Sequence, residues 1–484
     1  MAAATCSVAG FQGSVPESRV KLILAAALAA ALASPAIAAP APKPPKVDPA
    51  LHAKALEILK RSIAFPTVQG RRQTTAYAEY LKGVLVAGGY KDAEILIEPL
   101  GDTAFLIARY PGTDPKKKPI VISGHMDVVE ANPRDWERDP FTPVEENGYV
   151  FGRGAVDNKF DVSMMVATLA GLRKSGWKPG REVVLALSGD EETTMKTTAV
   201  LAERLKGAEL VLNIDGGGGG LNEDGTPISF GIQGAEKTYA DFHLTVTDPG
   251  GHSSRPTPTN AIYRLAKALD RLEAYEWPTM SNEITRASLA AAARNTPGAV
   301  GQALAKFAAD PADKAAVAAI RADPVWSPAL HTTCVATMLS GGHAPNALPQ
   351  RAEATVNCRI FPGTSSASVK ATLAEVVGDR SVVVTRMDDG SIDSPASPLR
   401  PDVVAAVTKA VRARFPGLAV VPSQASGATD SMYFRAAGVP SYGVSGLFMK
   451  DSDEFSHGLN ERAPISAIDG DLAHYDSILR DLAK

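Results

Sequence analysis

Val121-Ile-Ser-Gly-His-Met-Asp-Val-Val-Glu130 is the stretch on which the rest of the chain turns. A β-rich run, Pro119 to Ser123, stops at Gly124, and His125 and Asp127 follow two residues apart. A strand ending in Gly-His-x-Asp sets an imidazole and a carboxylate at the C-terminal edge of a sheet, where open α/β folds bind ligands. A nearby carboxylate commonly orders a metal-bound histidine. One such motif also fits an ordinary surface or core histidine; repetition along the chain separates the two.

The pattern recurs three times. Gly152-Arg-Gly-Ala-Val-Asp-Asn-Lys159 places Asp157 just ahead of a Met/Val/Leu-rich helix, Phe160 to Lys174. There a carboxylate serves as an N-cap or as a ligand. The apolar run Val183 to Leu187 leads into Ser188-Gly-Asp-Glu-Glu192. Three adjacent acids at the end of a buried strand repel one another and call for a countercharge. One glutamate can ligate while burial keeps its neighbour near a useful pKa for proton transfer. Leu210 to Ile214 ends in Asp215 and five glycines, Gly216 to Gly220. The glycine run by itself reads as a flexible loop; following a strand and Asp215, it can let backbone pass close to a ligand site. The intervals between these strand ends are those of successive βα units.

The chain has 484 residues, 45% apolar and 21% charged, with net charge −3. That length allows two or three domains, and the charge balance gives no reason to expect a nucleic-acid partner. Arg19 and Lys21, the apolar run Leu22 to Ala33 and Ser34-Pro-Ala-Ile-Ala-Ala39 have the layout of an export signal. Cleavage is placed after Ala38, and residues 39–47 read as a Pro-rich tether. The apolar run is too short to span a bilayer, so no membrane span is expected after cleavage, and the product is expected in the periplasm or secreted. Two cysteines then remain, Cys334 and Cys358, on two strands of an apparent hairpin. An oxidising compartment permits a bond; the strain of a directly cross-strand disulfide favours two buried thiols.

Beyond Asp215 the character changes. Gly234 to Thr247 alternates like a half-exposed strand, and Gly250-Gly-His-Ser-Ser-Arg255 is a loop around His252. Asn260 to Tyr275 is an amphipathic helix. Trp277 to Pro328 is an Ala-rich helical insertion without a chemical motif. Strands Thr332–Ser340 and Glu353–Phe361, helix Ser366–Val377 and strand Ser381–Arg386 complete a β-α-β-β-α-β order. The first domain resumes with helix Val403 to Phe415, the donor-rich turn Ser426 to Ser431 and Phe455-Ser-His-Gly-Leu-Asn-Glu461, which supplies a second imidazole, His457. The expected fold is α/β: a catalytic domain with a mixed central sheet, 48–232 and 395–484, interrupted by an α+β ferredoxin-like lid, 233–394, that carries a helical insertion.

Two imidazoles and several carboxylates, without paired thiolates, suit Zn²⁺, with Mn²⁺ or Co²⁺ as substitutes. A carboxylate shared by two metals would let them clamp a water and polarise a carbonyl. No P-loop and no Ser-centred nucleophile elbow competes with this reading.

Together GHMDVV, GRGAVDNK, SGDEE, NIDGG, GGHSSRP, NALP, NCRIFPG and FSHGLNE resemble the M20 family of zinc exopeptidases and aminoacylases, from about residue 48 to the end. The insert followed by TTCVATMLSGG, NALP and VNCRIFPG looks most like the carboxypeptidase S branch, which includes N-acyl amino acid hydrolases. The resemblance implies a zinc-exopeptidase-like fold and two Zn²⁺ ions bridged by Asp157. His125 and Asp215 would complete one site, Glu192 and His457 the other. Glu191 would be the general base and Asp127 would orient His125. His252, from the lid of this or a partner subunit, would stabilise the oxyanion. Arg359 and Asn346 would bind a substrate carboxylate in a pocket lined by Gly427 and Thr429. Asn158 departs from many relatives, which carry an acidic residue or Met at the position where the family has a cis peptide bond. The implied activity is hydrolysis of a peptide bond next to a free carboxylate, carboxypeptidase or dipeptidase type. The alternatives are an N-acyl amino acid amidohydrolase and an inactive binding homologue. Small peptides or N-acyl amino acids are the expected partners, with a homodimer through the lid.

Overall fold

Ile120–His125 forms the inner strand of the main sheet because all six of its residues are buried, with β-branched side chains on both faces. It pairs in parallel with Val183–Ser188 on one side and Leu210–Asn213 on the other. The strand runs two residues further than the sequence pattern suggests. His125 is itself a ladder residue, opposite Ser188, so the imidazole leaves from the sheet rather than from a loop. The computed structural model describes residues 46–388 and 390–484. The export signal at 1–38, and all but the last two residues of the 39–47 tether, lie outside the described residues.

The full order of the mixed sheet is Ile95–Leu100, Thr103–Tyr110, Val183–Ser188, Ile120–His125, Leu210–Asn213, Ser441–Gly443, Pro227–Glu236, Gly218–Leu221 and Phe448–Lys450. Val420–Ala425 pairs in parallel with Pro227–Glu236. Alternate side chains of the inner strands feed two cores. Leu185 and Leu187 join Ile58, Leu81, Met165 and Ile478 on one face. Val184 and Ala186 join Leu201, Leu205 and Phe434 on the other. Helices thus cover both faces, as a parallel sheet core requires.

The glycine run is not the flexible loop that its composition alone suggests. Gly218–Leu221 is a strand, antiparallel to Pro227–Glu236 and parallel to Phe448–Lys450. A Cβ at Gly219 would stand 2.2 Å from the Phe448 ring. Here glycine allows an aromatic ring to lie against the backbone; it does not make a loose loop.

A second, antiparallel sheet has the order Thr333–Gly341, Arg351–Ile360, Thr238–Thr247, Val382–Arg386. Helices Ala261–Glu273 and Ser366–Val377 complete the β-α-β-β-α-β sequence of elements. Phe242, Leu244, Val356, Leu265 and Leu373 form their common core. Helices Glu283–Asn295, Gly298–Ala309 and Lys314–Arg321 build a separate small core around Leu289, Leu304 and Phe307. The insertion leans on the main sheet as well, with Asn282 Nδ2 donating to Gln424 Oε1 at 3.3 Å. Among the described residues no helix is long and apolar enough to cross a membrane.

The expectation of two free thiols is corrected. Cys334 and Cys358 are register partners on adjacent strands and are joined as a disulfide. Their Cα atoms are 4.1 Å apart, near the closer of the two antiparallel spacings, and the sulfurs are therefore within bonding reach.

One buried carboxylate ties the loop before Asp157 to the loop after His457. Glu461 is fully buried. It accepts hydrogen bonds from the backbone N–H of Gly154 (2.9 Å), Val156 (2.8 Å) and Asp157 (3.1 Å), and from Arg153 Nη1 at 2.7 Å. Arg153 Nη2 donates to the carbonyls of His457 and Gly458. Removing one charge of such a pair leaves the other buried and unpaired, at a cost of about 3–5 kcal/mol.

Two outcomes follow. Glu461→Gln should lower the unfolding free energy by about 3–5 kcal/mol in urea titration, and a loss under about 1 kcal/mol would show the pair to be dispensable. Alkylation without reductant, followed by peptide mass analysis, should leave residues 334 and 358 unlabelled; labelling of both would restore the free-thiol expectation.

Candidate active site

Each half of the His125 imidazole has its own carboxylate. Nδ1 lies 3.0 Å from the Asp127 carbonyl oxygen and 3.5 Å from Asp127 Oδ1. Nε2 therefore points the other way, to Asp157 Oδ1 at 2.8 Å and Asp215 Oδ1 at 3.6 Å. The same Asp127 carboxylate accepts the backbone N–H groups of Glu191 (3.1 Å) and Glu192 (3.0 Å). Asp127 thus sets the ring chiefly through its backbone carbonyl and the acidic pair through its carboxylate.

His457 approaches from the opposite side. Its Nε2 is 3.2 Å from Asp157 Oδ2 and 3.0 Å from Glu192 Oε1. The backbone there has φ +61°, a left-handed conformation that costs a non-glycine residue about 1 kcal/mol or more and is held by the surrounding loop. Asp157 consequently offers one oxygen to each imidazole. That is the geometry of a carboxylate able to bridge two cations.

Asn158 ties the ligand strands together. The Asp157–Asn158 peptide bond is cis. The Asn158 side-chain oxygen accepts from His125 N at 3.4 Å, and its Nδ2 donates to the Ile214 carbonyl at 3.2 Å. It therefore links the strand that ends in His125 to the strand that leads to Asp215. A Cβ at Gly124 would stand 2.7 Å from that oxygen, so the glycine of Gly-His-x-Asp makes room for this side chain. Neither Asn158 nor Glu461 stands out in the sequence as a support. The available signals were the position of Asn158 directly after Asp157 and an unpaired acid four residues beyond His457.

Electrostatics argue for a cation. Burial pushes the Glu191 carboxyl well above its usual range, with Asp215, Asp430 and Glu192 adding to the effect against His125. Burial also raises Glu192, and brings Asp215 to about 6. Hydrogen bonds to Asp157 and Glu192 push the His457 imidazole up to about 10. Among the described residues no Lys or Arg pairs with Asp127, Asp157, Glu191, Glu192 or Asp215. Ligating atoms of His125, Asp157 and Glu192 lie within 4.8 Å of one another. Imidazole nitrogens and carboxylate oxygens without thiolates fit a divalent transition metal. The donor set therefore fits a metal on its own chemistry.

The remaining predicted residues fall into two groups. Arg359, on the second sheet, donates through Nη1 to the Ser426 carbonyl at 2.7 Å and stacks over Tyr239 at 4.6 Å. That contact brings it to the turn containing exposed Gly427 and buried Thr429. The Thr429 hydroxyl donates to Glu236 Oε2 at 2.9 Å and accepts from Asn213 Nδ2 at 3.0 Å, so it is engaged within the protein. His252 and Asn346 form the second group. Gly251–His252 pairs with Ala347–Leu348, and Ser253 N donates to the Asn346 carbonyl at 3.0 Å. His252 Nδ1 is taken by Ser254, which leaves Nε2 to solvent. Both residues are exposed, and among the described residues no hydrogen bond or ion pair joins them to the carboxylate cluster.

Comparison with known proteins places the chain in a family. The model of peptidase family M20/M25/M40 matches residues 121–481. The N-fatty-acyl-amino acid synthase/hydrolase PM20D1 of Xenopus tropicalis is 28% identical over 443 residues, covering 88% of this chain and 85% of its own. The probable carboxypeptidase S-like 2 of Dictyostelium discoideum is 25% identical over 376 residues, 74% of this chain and 71% of its own. The solved M20 family metallo-carboxypeptidase Sso-CP2 from Sulfolobus solfataricus shares the fold with a TM-score of 0.65 at 20% identity, over 88% of this chain and 99% of that one. With its family match running from the His125 strand to the C-terminal helix, the chain belongs to peptidase family M20/M25/M40, whose members are metal-dependent hydrolases, and has carboxypeptidase S-like relatives.

Proposed function

We propose that this chain is an exported di-zinc hydrolase that cleaves a peptide bond next to a free carboxylate, in the manner of a carboxypeptidase or dipeptidase. The observation that carries the reading is Asp157, one oxygen on His125 and the other on His457, with Glu191 beside the cluster and bonded to neither imidazole. His125 and Asp215 would hold one Zn²⁺, Glu192 and His457 the other, with Asp157 between them. Two bound zinc ions supply Lewis-acid polarisation of the scissile carbonyl and lower the pKa of a water. Mn²⁺ or Co²⁺ satisfies the same donors.

Glu191 does the proton work. Its buried carboxylate is basic enough to take a proton from the attacking water and to pass it to the leaving amine nitrogen as the C–N bond breaks. Asp127 keeps the His125 tautomer and holds the backbone that carries Glu191. Arg359 binds the substrate carboxylate as a two-pronged donor, with Asn346, Gly427 and Thr429 shaping the pocket. His252, its Nε2 uncommitted, meets the developing oxyanion once the second sheet closes over the first.

The name of the Xenopus relative favours a second reading, an N-acyl amino acid amidohydrolase, which differs only in the group on the far side of the scissile bond. A homodimer through the second sheet is supported by its edge strand Thr333–Gly341, which leaves Val335, Met338 and Leu339 exposed. Export rests on the layout of residues 1–38.

Four results test the reading. Glu191→Ala should keep both metal equivalents and lose about 10²–10⁴-fold in kcat. His457→Ala should lose metal as well; equal metal loss in the two variants would mean that base and ligand are exchanged. On the zinc-loaded protein, substrates with a free C-terminal carboxylate should turn over and their amides should not, and Arg359→Lys should raise KM with little change in kcat. Equal hydrolysis of acids and amides would remove Arg359 from the site.

A further inference from the structure

The chain crosses from the main sheet to the second sheet through one residue, Lys237, which stands between Pro227–Glu236 and Thr238–Thr247. The position is 3% exposed, and lysine is almost never buried to that degree unless it is paired. Its backbone N–H donates to the Ala425 carbonyl at 3.0 Å. Its Nζ donates to the carbonyls of Pro328 (2.6 Å) and His331 (2.8 Å), where the helical insertion ends. One N–H of the ammonium is left uncommitted among the described residues, and no carboxylate pairs with it. The adjacent Glu236 is engaged elsewhere: it is ion-paired with Arg435 at 3.0 Å and accepts from Thr429 and Gln233. Two carbonyls satisfy donors, but they do not neutralise a charge.

A second unneutralised cation lies one diagonal step away. Tyr239 is opposite Arg359 in the antiparallel ladder and Thr238 is opposite Ile360. Lys237 and Arg359 therefore stand at a cross-strand diagonal, a spacing of roughly 7–8 Å that long side chains can bridge. Both residues also grip the strand that leads into the Gly427 turn. Lys237 N bonds to the Ala425 carbonyl, and Arg359 Nη1 bonds to the next carbonyl, Ser426, at 2.7 Å. Among the described residues Arg359 has no carboxylate partner either. Burial, and then the Arg359 guanidinium, pull the Lys237 ammonium down to about 8, so it is still charged at neutral pH. The other titratable group facing it, His331, is held by the Thr332 carbonyl and the Ser327 hydroxyl, and burial lowers its pKa further from the charged form. Two neighbouring cations without an anion are an arrangement that an anionic ligand completes.

We propose that Lys237 is a positioning residue for the substrate carboxylate: from the crossing between the two sheets it supplies the second positive charge that draws that carboxylate to Arg359. This inference rests on the Arg359 pocket of the hydrolase reading above and adds a residue to it. If Lys237 only tied the end of the insertion to the main sheet, a neutral donor would serve the same two carbonyls and would cost less to bury. A buried charge that its surroundings leave unpaired is explained when its counter-ion arrives with the substrate, and an ionised acceptor makes the stronger hydrogen bonds.

The test separates charge from tether. Lys237→Gln keeps N–H donors for the Pro328 and His331 carbonyls and removes the charge, whereas Lys237→Arg keeps both. On the zinc-loaded protein, with L-alanyl-L-alanine and N-acetyl-L-alanine as substrates, Lys237→Gln should raise KM by about tenfold, the worth of an interaction with a charged group. The loss should fall on KM and not on kcat, as for binding shared by ground and transition states, and Lys237→Arg should restore KM. The same KM in Lys237→Gln as in wild type, or the same rise in Lys237→Arg as in Lys237→Gln, would overturn the proposal. A second measurement does not need the neutral variant to fold. The Glu191→Gln protein is titrated calorimetrically with N-acetyl-L-alanine at pH 8, in Tris and in HEPES. A carboxylate arriving beside Lys237 raises its pKa, so binding should take up a fraction of a proton more than in the same protein carrying Lys237→Arg. Equal proton uptake in the two, or no binding, rejects the proposal. If neither free acid is hydrolysed by the wild type, the hydrolase reading fails by itself, and the titration still decides the role of Lys237.

Discussion

The sharing of Asp157 between two imidazoles is the constraint on which the rest of the structure depends. Its carboxylate has one oxygen 2.8 Å from His125 and the other 3.2 Å from His457. These two residues come from chain segments more than three hundred positions apart, separated by the whole second sheet. Keeping both within hydrogen-bonding distance of one side chain demands a rigid frame. The parallel pairing of Ile120–His125 with its two neighbours supplies that frame on one side. On the other side His457 depends on loop contacts, chiefly the Glu461 and Arg153 pair, which bonds to the backbone at both ends.

The frame explains why several polar residues are buried that never reach the cleft. Asp127 serves His125 and the two glutamate N–H groups at once. Asn158 joins the strands behind the ligands. Asp430 lies beneath the sheet edge and accepts from Ser188 Oγ at 2.7 Å and from Thr198. Each carboxylate or amide is paid for by its hydrogen bonds, whereas the acids that face the cleft have only imidazoles and one another. The contrast between satisfied support and unsatisfied donors identifies the cleft as the place for a cation.

Much of this was legible in the sequence, for physical reasons that differ from residue to residue. The strands before His125, Glu191 and Asp215 declare themselves because buried parallel strands need unbroken β-branched and leucine runs, and the acids that follow have no other reason to be consecutive. The second sheet shows in the alternation of Thr238–Thr247 and Arg351–Ile360, one face buried and one not. That part of the glycine run is a strand could not be seen, because local composition cannot reveal the Phe448 ring that lies against Gly219. The Cys334–Cys358 bond depends on cross-strand register, and a one-residue slip would have separated the pair. The partners of Glu461 and Asn158 are backbone groups far along the chain, and nothing in a linear pattern announces them.

The most direct test of the account is anomalous diffraction at the zinc edge from crystals of the zinc-loaded protein. Two peaks flanking the Asp157 carboxylate, one on His125 and Asp215 and the other on Glu192 and His457, are the predicted result. A single peak away from Asp157, or none at saturating zinc, would contradict the bridging role on which the whole arrangement depends.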